Sequence, residues 1–292
     1  MRLAVCIAAA LLCAQHAVAD TVEKSVAAEP RGEVEITNVS GDVQVSAWDS
    51  PEVAVTAELG SGVERLDVLN ESHRTIVRVV LPKGRSSGGS SDLMVRVPRD
   101  SSLTINTVSA DQTIADVRGA QRLQAVSGSI TTQSWGSEFE AKTVSGEITV
   151  RGHGGGAPTR VSSVSGNISL DGVGGELELG TVSGDMNVKV DQLTRARIKT
   201  TNGDLDMIAG LVRDARIEAE AINGDLRFHL RGAIDATFDI ATFNGDIDNC
   251  FGPKPRRTSE YAPGNELRFQ EGQGTGLIRI KTLNGGVEIC KR

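Results

Sequence analysis

The residues with the most chemical potential are acids that recur directly after a glycine or its substitute. Asp42, Asp111, Glu147, Asp185, Asp204, Asp225 and Asp246 all occupy this place in a repeated segment. Carboxylates aligned along one edge would suit a calcium-binding surface, or the acid/base groups of a polysaccharide-active enzyme. Such an enzyme would draw on Asp185, Asp204, Asp225 and Asp246, the positions we hold as ligand-facing candidates. The plainer explanation is turn chemistry, because Asp after Asn-Gly is itself a good turn residue. The column favours that explanation, being broken by Ser129, Asn167 and Gly286. The nonapeptide repeat of calcium-binding arrays is also missing. One Tyr and two Trp are few for gripping sugars. No catalytic residue, metal site or cofactor is therefore assigned.

The other candidates are weaker. His73, His153 and His229 are far apart, with no histidine or cysteine grouping of zinc-site spacing. No GxSxG elbow lies between a strand and a helix. The run Gly272-Gln273-Gly274-Thr275-Gly276 has no helix behind it to hold a phosphate, and Gly154-Gly155-Gly156 reads as a loose corner. One basic cluster, Lys254-Pro255-Arg256-Arg257 near Tyr261, could meet anionic glycan or headgroups, although a solvated Pro-rich loop explains it as well.

These acids need an element that repeats, and the sequence supplies one. Its anchor glycines are Gly41, Gly128, Gly146, Gly166, Gly184, Gly203, Gly224, Gly245 and Gly285, preceded by Val-Ser in the first half and by Asn in the second. From Ala110, which stands in for a glycine, to Gly245 the anchors are 18, 18, 20, 18, 19, 21 and 21 residues apart. Apolar and polar residues alternate on both sides, as in Leu177, Leu179, Met186 and Val188, the period-2 signature of strands. Each unit then reads strand, glycine turn, strand, second turn. Alone it cannot bury its apolar side, so units must stack with backbone groups paired above and below. The expected fold is all-β: a single-stranded β-solenoid with an irregular β-rich cap. A leucine-rich repeat lacks its LxxLxL pattern here, and a stack of independent Asn-Gly hairpins is the closer rival.

The ends differ from the middle. Arg2, the apolar run Leu3 to Leu12 and Ala17-Val18-Ala19 form a secretory signal with cleavage before Asp20. That run is too short to span a bilayer. Leu12 before Cys13 argues against acylation. Residues 20–100 are expected to cap the repeats, with Lys83 to Ser91 a Gly/Ser loop, and 101–292 to form the repeat region, with a loop inserted at about 251–270. Cys6 and Cys13 leave with the signal. Cys250 and Cys290 each lie five residues after their anchor. If the Pro-rich insert bulges out, their units become neighbours and a disulfide follows, which export permits. With Arg2 gone, the 31 basic residues fall to 30 against 38 acidic, a balance unlike the basic footprint that nucleic acid requires.

Taken with Gly41-Asp42-Val43-Gln44-Val45-Ser46-Ala47-Trp48-Asp49, Asp92-Leu93-Met94-Val95-Arg96-Val97-Pro98 and the serial TVSGD and NGD units, the chain resembles the bacterial putative-adhesin β-strand-repeat family. The resemblance implies a β-helix-like fold and a surface or envelope role, and brings no catalytic residues. The expectation is a non-catalytic, periplasmic or extracellular protein that binds or scaffolds an envelope component, a glycan or a protein. A polysaccharide-active enzyme and an envelope-stress sensor or regulator are the alternatives.

Overall fold

The structure is a computed structural model that describes residues 20–82, 89–259 and 263–292. The signal segment, most of the Gly/Ser loop and Tyr261 lie outside the described residues. The first six strands are β1 (Asp20–Ala27), β2 (Glu33–Trp48), β3 (Glu52–Leu59), β4 (Arg65–Glu71), β5 (Arg74–Val80) and β6 (Ser91–Pro98). The central run is β7 (Ser102–Ala115), β8 (Gln121–Ser127), β9 (Ile130–Ser134), β10 (Phe139–Ser145), β11 (Ile148–Gly152), β12 (Thr159–Ser165), β13 (Ile168–Ser183), β14 (Met186–Asn202) and β15 (Leu205–Asn223). The chain ends with β16 (Leu226–Arg231), β17 (Ala236–Asn244), β18 (Ile247–Asn249), β19 (Arg256–Arg257), β20 (Asn265–Glu271), β21 (Gly276–Asn284) and β22 (Val287–Lys291).

Each repeat is a tier: an arm entering the glycine corner and an arm leaving it. Equivalent arms of neighbouring tiers pair in parallel and in register, so that Ile148 faces Ile130 on one side and Ile168 on the other. The inward parity is apolar in both arms, as in Leu177, Leu179, Met186 and Val188, all buried. Each such Leu or Ile side chain contributes about 1.5–3 kcal/mol when fully buried. The corner brings successive backbones very close. At Gly184, φ is +143° and an added Cβ would lie 2.4 Å from the Gly166 carbonyl oxygen. At Ala110, β7 runs through the corner without a positive φ.

The all-β expectation holds, but the single-stranded solenoid does not. The described strands form one 22-stranded sheet of parallel and antiparallel pairings whose order departs from chain order at both ends. Near the C-terminus, β21 and β22 insert between β15–β16 and β17–β18. β20 then covers the far side of β17 as an antiparallel strand. Part of the segment expected as a loop is thus paired. Near the N-terminus, β5 and β6 pair with the outer side of β2, whose inner side pairs with β7. The antiparallel strands β4, β3 and β1 follow outside them. The region expected to be an irregular cap therefore contains a full tier, β2, with its corner at Gly41.

Charge favours the inverted C-terminal order. Six residues before each corner glycine, an outward column runs Arg122, Glu140, Arg160, Glu178, Arg197, Glu218, Arg279 and Asp239 along the pairing order, and Arg268 of β20 continues it. Its signs alternate at every step. Arg122 lies 2.9 Å from Glu140, and Asp239 is held by Arg279 at 3.3 Å and by Arg268 at 3.0 Å. Chain order would instead have set Glu218 beside Asp239, and like charges directly opposite are destabilising. Spacing along the chain limits a tier's length but is silent on its neighbour; the charges are not.

Two predictions follow from this column. Arg279→Glu should lower stability by about 1–2 kcal/mol, since two favourable pairs become repulsive ones. Thermal melts should show the loss shrinking as salt rises. The Glu140 carboxyl is held below its ordinary range by hydrogen bonds from Lys142 and Arg122. Its folded pKa is depressed, so the associated stability is present above the unfolded value and is lost as pH falls through the folded one. Glu140→Gln should therefore flatten the fall in stability below about pH 4.5, as read by denaturation across pH 3–7.

Candidate functional site

The acidic column lies along one flank of the corners, where the structure gives it a tier-to-tier task. At this position the backbone N–H has no carbonyl opposite it, and a side chain of the preceding tier accepts it. Asp92 Oδ1 accepts from Asp42 N–H at 3.0 Å, and Asp111 from Ser129 at 2.7 Å. Asn167 accepts from Asp185 at 2.9 Å, Asp185 from Asp204 at 2.9 Å, Asp204 from Asp225 at 2.8 Å and Asp225 from Gly286 at 2.8 Å. Asp and Asn have the reach for this bond. Ser129 is shorter, Glu147 longer, and neither makes it. Of the interruptions in the sequence column, Asn167 shares its chemistry, whereas Ser129 and Gly286 supply no acceptor.

The four ligand-facing candidates do not converge on a common point. Asp185 and Asp246 are exposed, and Asp204 and Asp225 are half-buried. Arg227 reaches three carboxylates, lying 3.1 Å from Asp225, 3.6 Å from Asp204 and 3.8 Å from Asp206. Arg227, Asp204 and Asp206 line an open trough with Glu147 and Asp185. Among the described residues, no three His, Cys, Asp or Glu side chains are grouped to hold a metal ion.

The corner asparagines form a second ladder. Asn223 donates to Asn202 at 2.7 Å, Asn284 to Asn223 at 2.8 Å and Asn244 to Asn284 at 2.9 Å, which repeats the inverted order of the tiers. Cys250 and Cys290 follow in register from Asn249 and Ile289 and are joined in a disulfide, their Cα atoms 4.8 Å apart. That separation matches the spacing of adjacent strands.

The remaining candidates are scattered. His73 pairs with Glu29 at 2.6 Å, His153 stacks on Trp135 with ring centres 3.8 Å apart, and His229 stands opposite Cys290. The glycines of 272–276 wrap Asp235, whose Oδ1 accepts the Thr275 N–H at 3.1 Å. Backbone hydrogen bonds there, that of Thr275 foremost, hold the Asp235 carboxyl below its ordinary range. The run is a capped turn. In the basic cluster, Lys254, Arg256 and Arg257 are exposed, and Arg256 lies 3.8 Å from Glu266.

Sequence reasoning missed the most regular surface feature. Two residues before each corner, Val108, Val126, Val144, Val164, Val182, Ile222, Leu283 and Phe243 point outward and are 46–49 % exposed. The signal was present in the parity. Buried positions lie three, five and seven residues before the glycine, so an apolar residue at two stands on the polar side.

The capping bonds can be tested by a pair of substitutions. Asp185→Ala leaves the Asp204 N–H without its acceptor and should cost about 0.5–1.5 kcal/mol. Asp185→Asn keeps an acceptor of the same reach, as Asn167 does one tier earlier, and should stay close to wild type in urea denaturation.

No curated protein is matched by the chain. Among solved structures, it is similar to one described as a putative adhesin from Bacteroides fragilis, with 8% identity, coverage of 93% of this chain and 97% of that one, and a TM-score of 0.45. A second, described as a putative adhesin from Parabacteroides distasonis, shares 10% identity over 93% and 98% of the two chains, with a TM-score of 0.42. A third, described as a putative lipid binding protein from the same species, shares 12% identity over 93% and 97%, with a TM-score of 0.34. The family model described as Toastrack DUF4097 matches residues 64–249, more than half of the sequence, and the chain belongs to that family.

Proposed function

We propose that this Toastrack-family protein is a non-catalytic exported protein that binds or scaffolds an envelope component, in the manner of an adhesin. The observation that carries the proposal is the repetition of one outward chemistry from tier to tier. Apolar, amide, acid and alternating-charge columns run side by side along the corners and incoming arms. A ligand that is itself extended can meet many copies of one weak contact, and linked weak contacts add into avidity. Three of the four carboxylates that an enzyme would use, Asp185, Asp204 and Asp225, are instead engaged in capping backbone amides or in pairing with Arg227.

Export is supported by the Cys250–Cys290 disulfide, which belongs to oxidising compartments. No helix among the described residues is long and apolar enough to cross a membrane. The working location is the periplasm or the cell exterior.

Purified protein comprising residues 20–292 can be applied to arrays of envelope glycans, and to immobilised envelope proteins, with and without calcium. Saturable retention with the glycans left intact is the expected result. Shortening of a glycan by the wild type but not by Asp204→Ala would sink the non-catalytic reading and return the acidic column to catalysis.

A further inference from the structure

We infer that the apolar ridge running from Val108 to Phe243 is a docking edge for an extended polypeptide segment that interleaves apolar and basic side chains. The inference deepens the binding role proposed above and rests on it.

The ridge is not explained by folding. Its side chains stand on the outward parity, about half exposed, and the core is already filled by the opposite parity. One tier carries Thr201 at this position, yet its neighbours keep register, with Thr200 opposite Ala221 and Asn202 opposite Asn223. A polar residue is therefore structurally sufficient. Branching at Cβ does not account for the pattern either, since Leu283 and Phe243 are unbranched there. Apolarity is the shared property. With tiers about 4.8 Å apart, the stripe extends for roughly 40 Å. Exposed apolar patches of such extent, rimmed by polar groups, mark interaction surfaces.

Charge selects the occupant. On the flank beyond the corner, Asp111, Glu147, Asp185 and Asp246 are exposed and have no cationic partner within 4.0 Å among the described residues. On the other flank, Lys142 is paired with Glu140, and Lys199 with Glu220 at 3.2 Å. The stripe thus lies beside an acidic column in which Asp204 and Asp225 share Arg227 and four other acids are uncompensated, which favours a cationic partner and disfavours an anionic one. A second copy packed ridge to ridge in the antiparallel sense would set two acidic columns face to face. In the parallel sense it would set one against a flank where Lys142 and Lys199 are already paired and Lys281 alone is an exposed lysine without an ion pair among the described residues. An anionic bilayer would be repelled by the same column. A polypeptide with Val-like and Lys-like side chains in alternation satisfies both the stripe and the acids.

The test uses fluorescence anisotropy on protein of residues 20–292, with three labelled peptides that alternate Val with Lys, Ser with Lys, and Val with Glu. The Val/Lys peptide should bind, and should bind less well as salt rises. The Ser/Lys peptide should bind about tenfold or more weakly, and the Val/Glu peptide should not bind. Replacing three ridge residues together, Val144→Ser, Val164→Ser and Val182→Ser, should weaken the Val/Lys complex about tenfold while leaving the circular dichroism spectrum unchanged. Should the triple variant misfold, Val182→Ser alone supplies the same comparison at a smaller effect. Equal affinity of wild type and variant, or of the Val/Lys and Ser/Lys peptides, would overturn the inference. So would ridge-dependent self-association in sedimentation, or ridge-dependent binding to neutral phosphatidylcholine vesicles, without peptide uptake. Undiminished envelope-component binding by a variant that has lost the peptide would also overturn this assignment, while leaving the broader binding role intact.

Discussion

The structure depends on one constraint: a tier cannot bury its apolar side or satisfy its backbone alone. An arm of five to seven residues, such as Phe139–Ser145 or Ile148–Gly152, has one inward parity and two unpaired backbone edges. Parallel, in-register neighbours meet both needs together. Where the ladder leaves a gap, at the amide after the corner, a carboxylate or amide of the preceding tier fills it. The glycine corner, the Asp column and the Asn ladder are three local consequences of that single demand.

The ends follow from the same demand met differently. A parallel stack must stop somewhere, and an open edge invites pairing with other chains. At the N-terminal end, β4, β3 and β1 cover the outer tier by antiparallel pairing; at the C-terminal end, β20 covers β17. The late insertion of β21–β22 makes the chain's last strands interior ones, with Cys290 bonded to Cys250 on the adjacent tier. In that arrangement Glu218 and Asp239 each face Arg279 rather than one another.

The outward surface is where the molecule is free to specialise. Its inward parity is committed to packing, and the corner carboxylates of Asp111, Asp185, Asp204 and Asp225 to backbone capping. What remains is linear: an apolar ridge, an amide ladder and acids in parallel columns. Surfaces of this kind suit extended partners met at many weak points, rather than a small molecule gripped at one.

The sequence by itself determined the strand parity, the corner glycines and the tier length. These are local properties, set by steric freedom at Gly and by the alternation of side chains. It also placed Cys250 and Cys290 at equivalent positions, and it carried the outward Val column as an apolar residue on the polar parity, two before each glycine. The tertiary structure alone decided which tier lies beside which. A repeat of 18–21 residues sets the length of a tier but does not name its neighbour. The choice fell to long-range terms: Arg279 between Glu218 and Asp239, Asn284 between Asn223 and Asn244, and the disulfide across the last pair. Such terms act between residues 40 or 61 positions apart in the chain, beyond the reach of any local pattern.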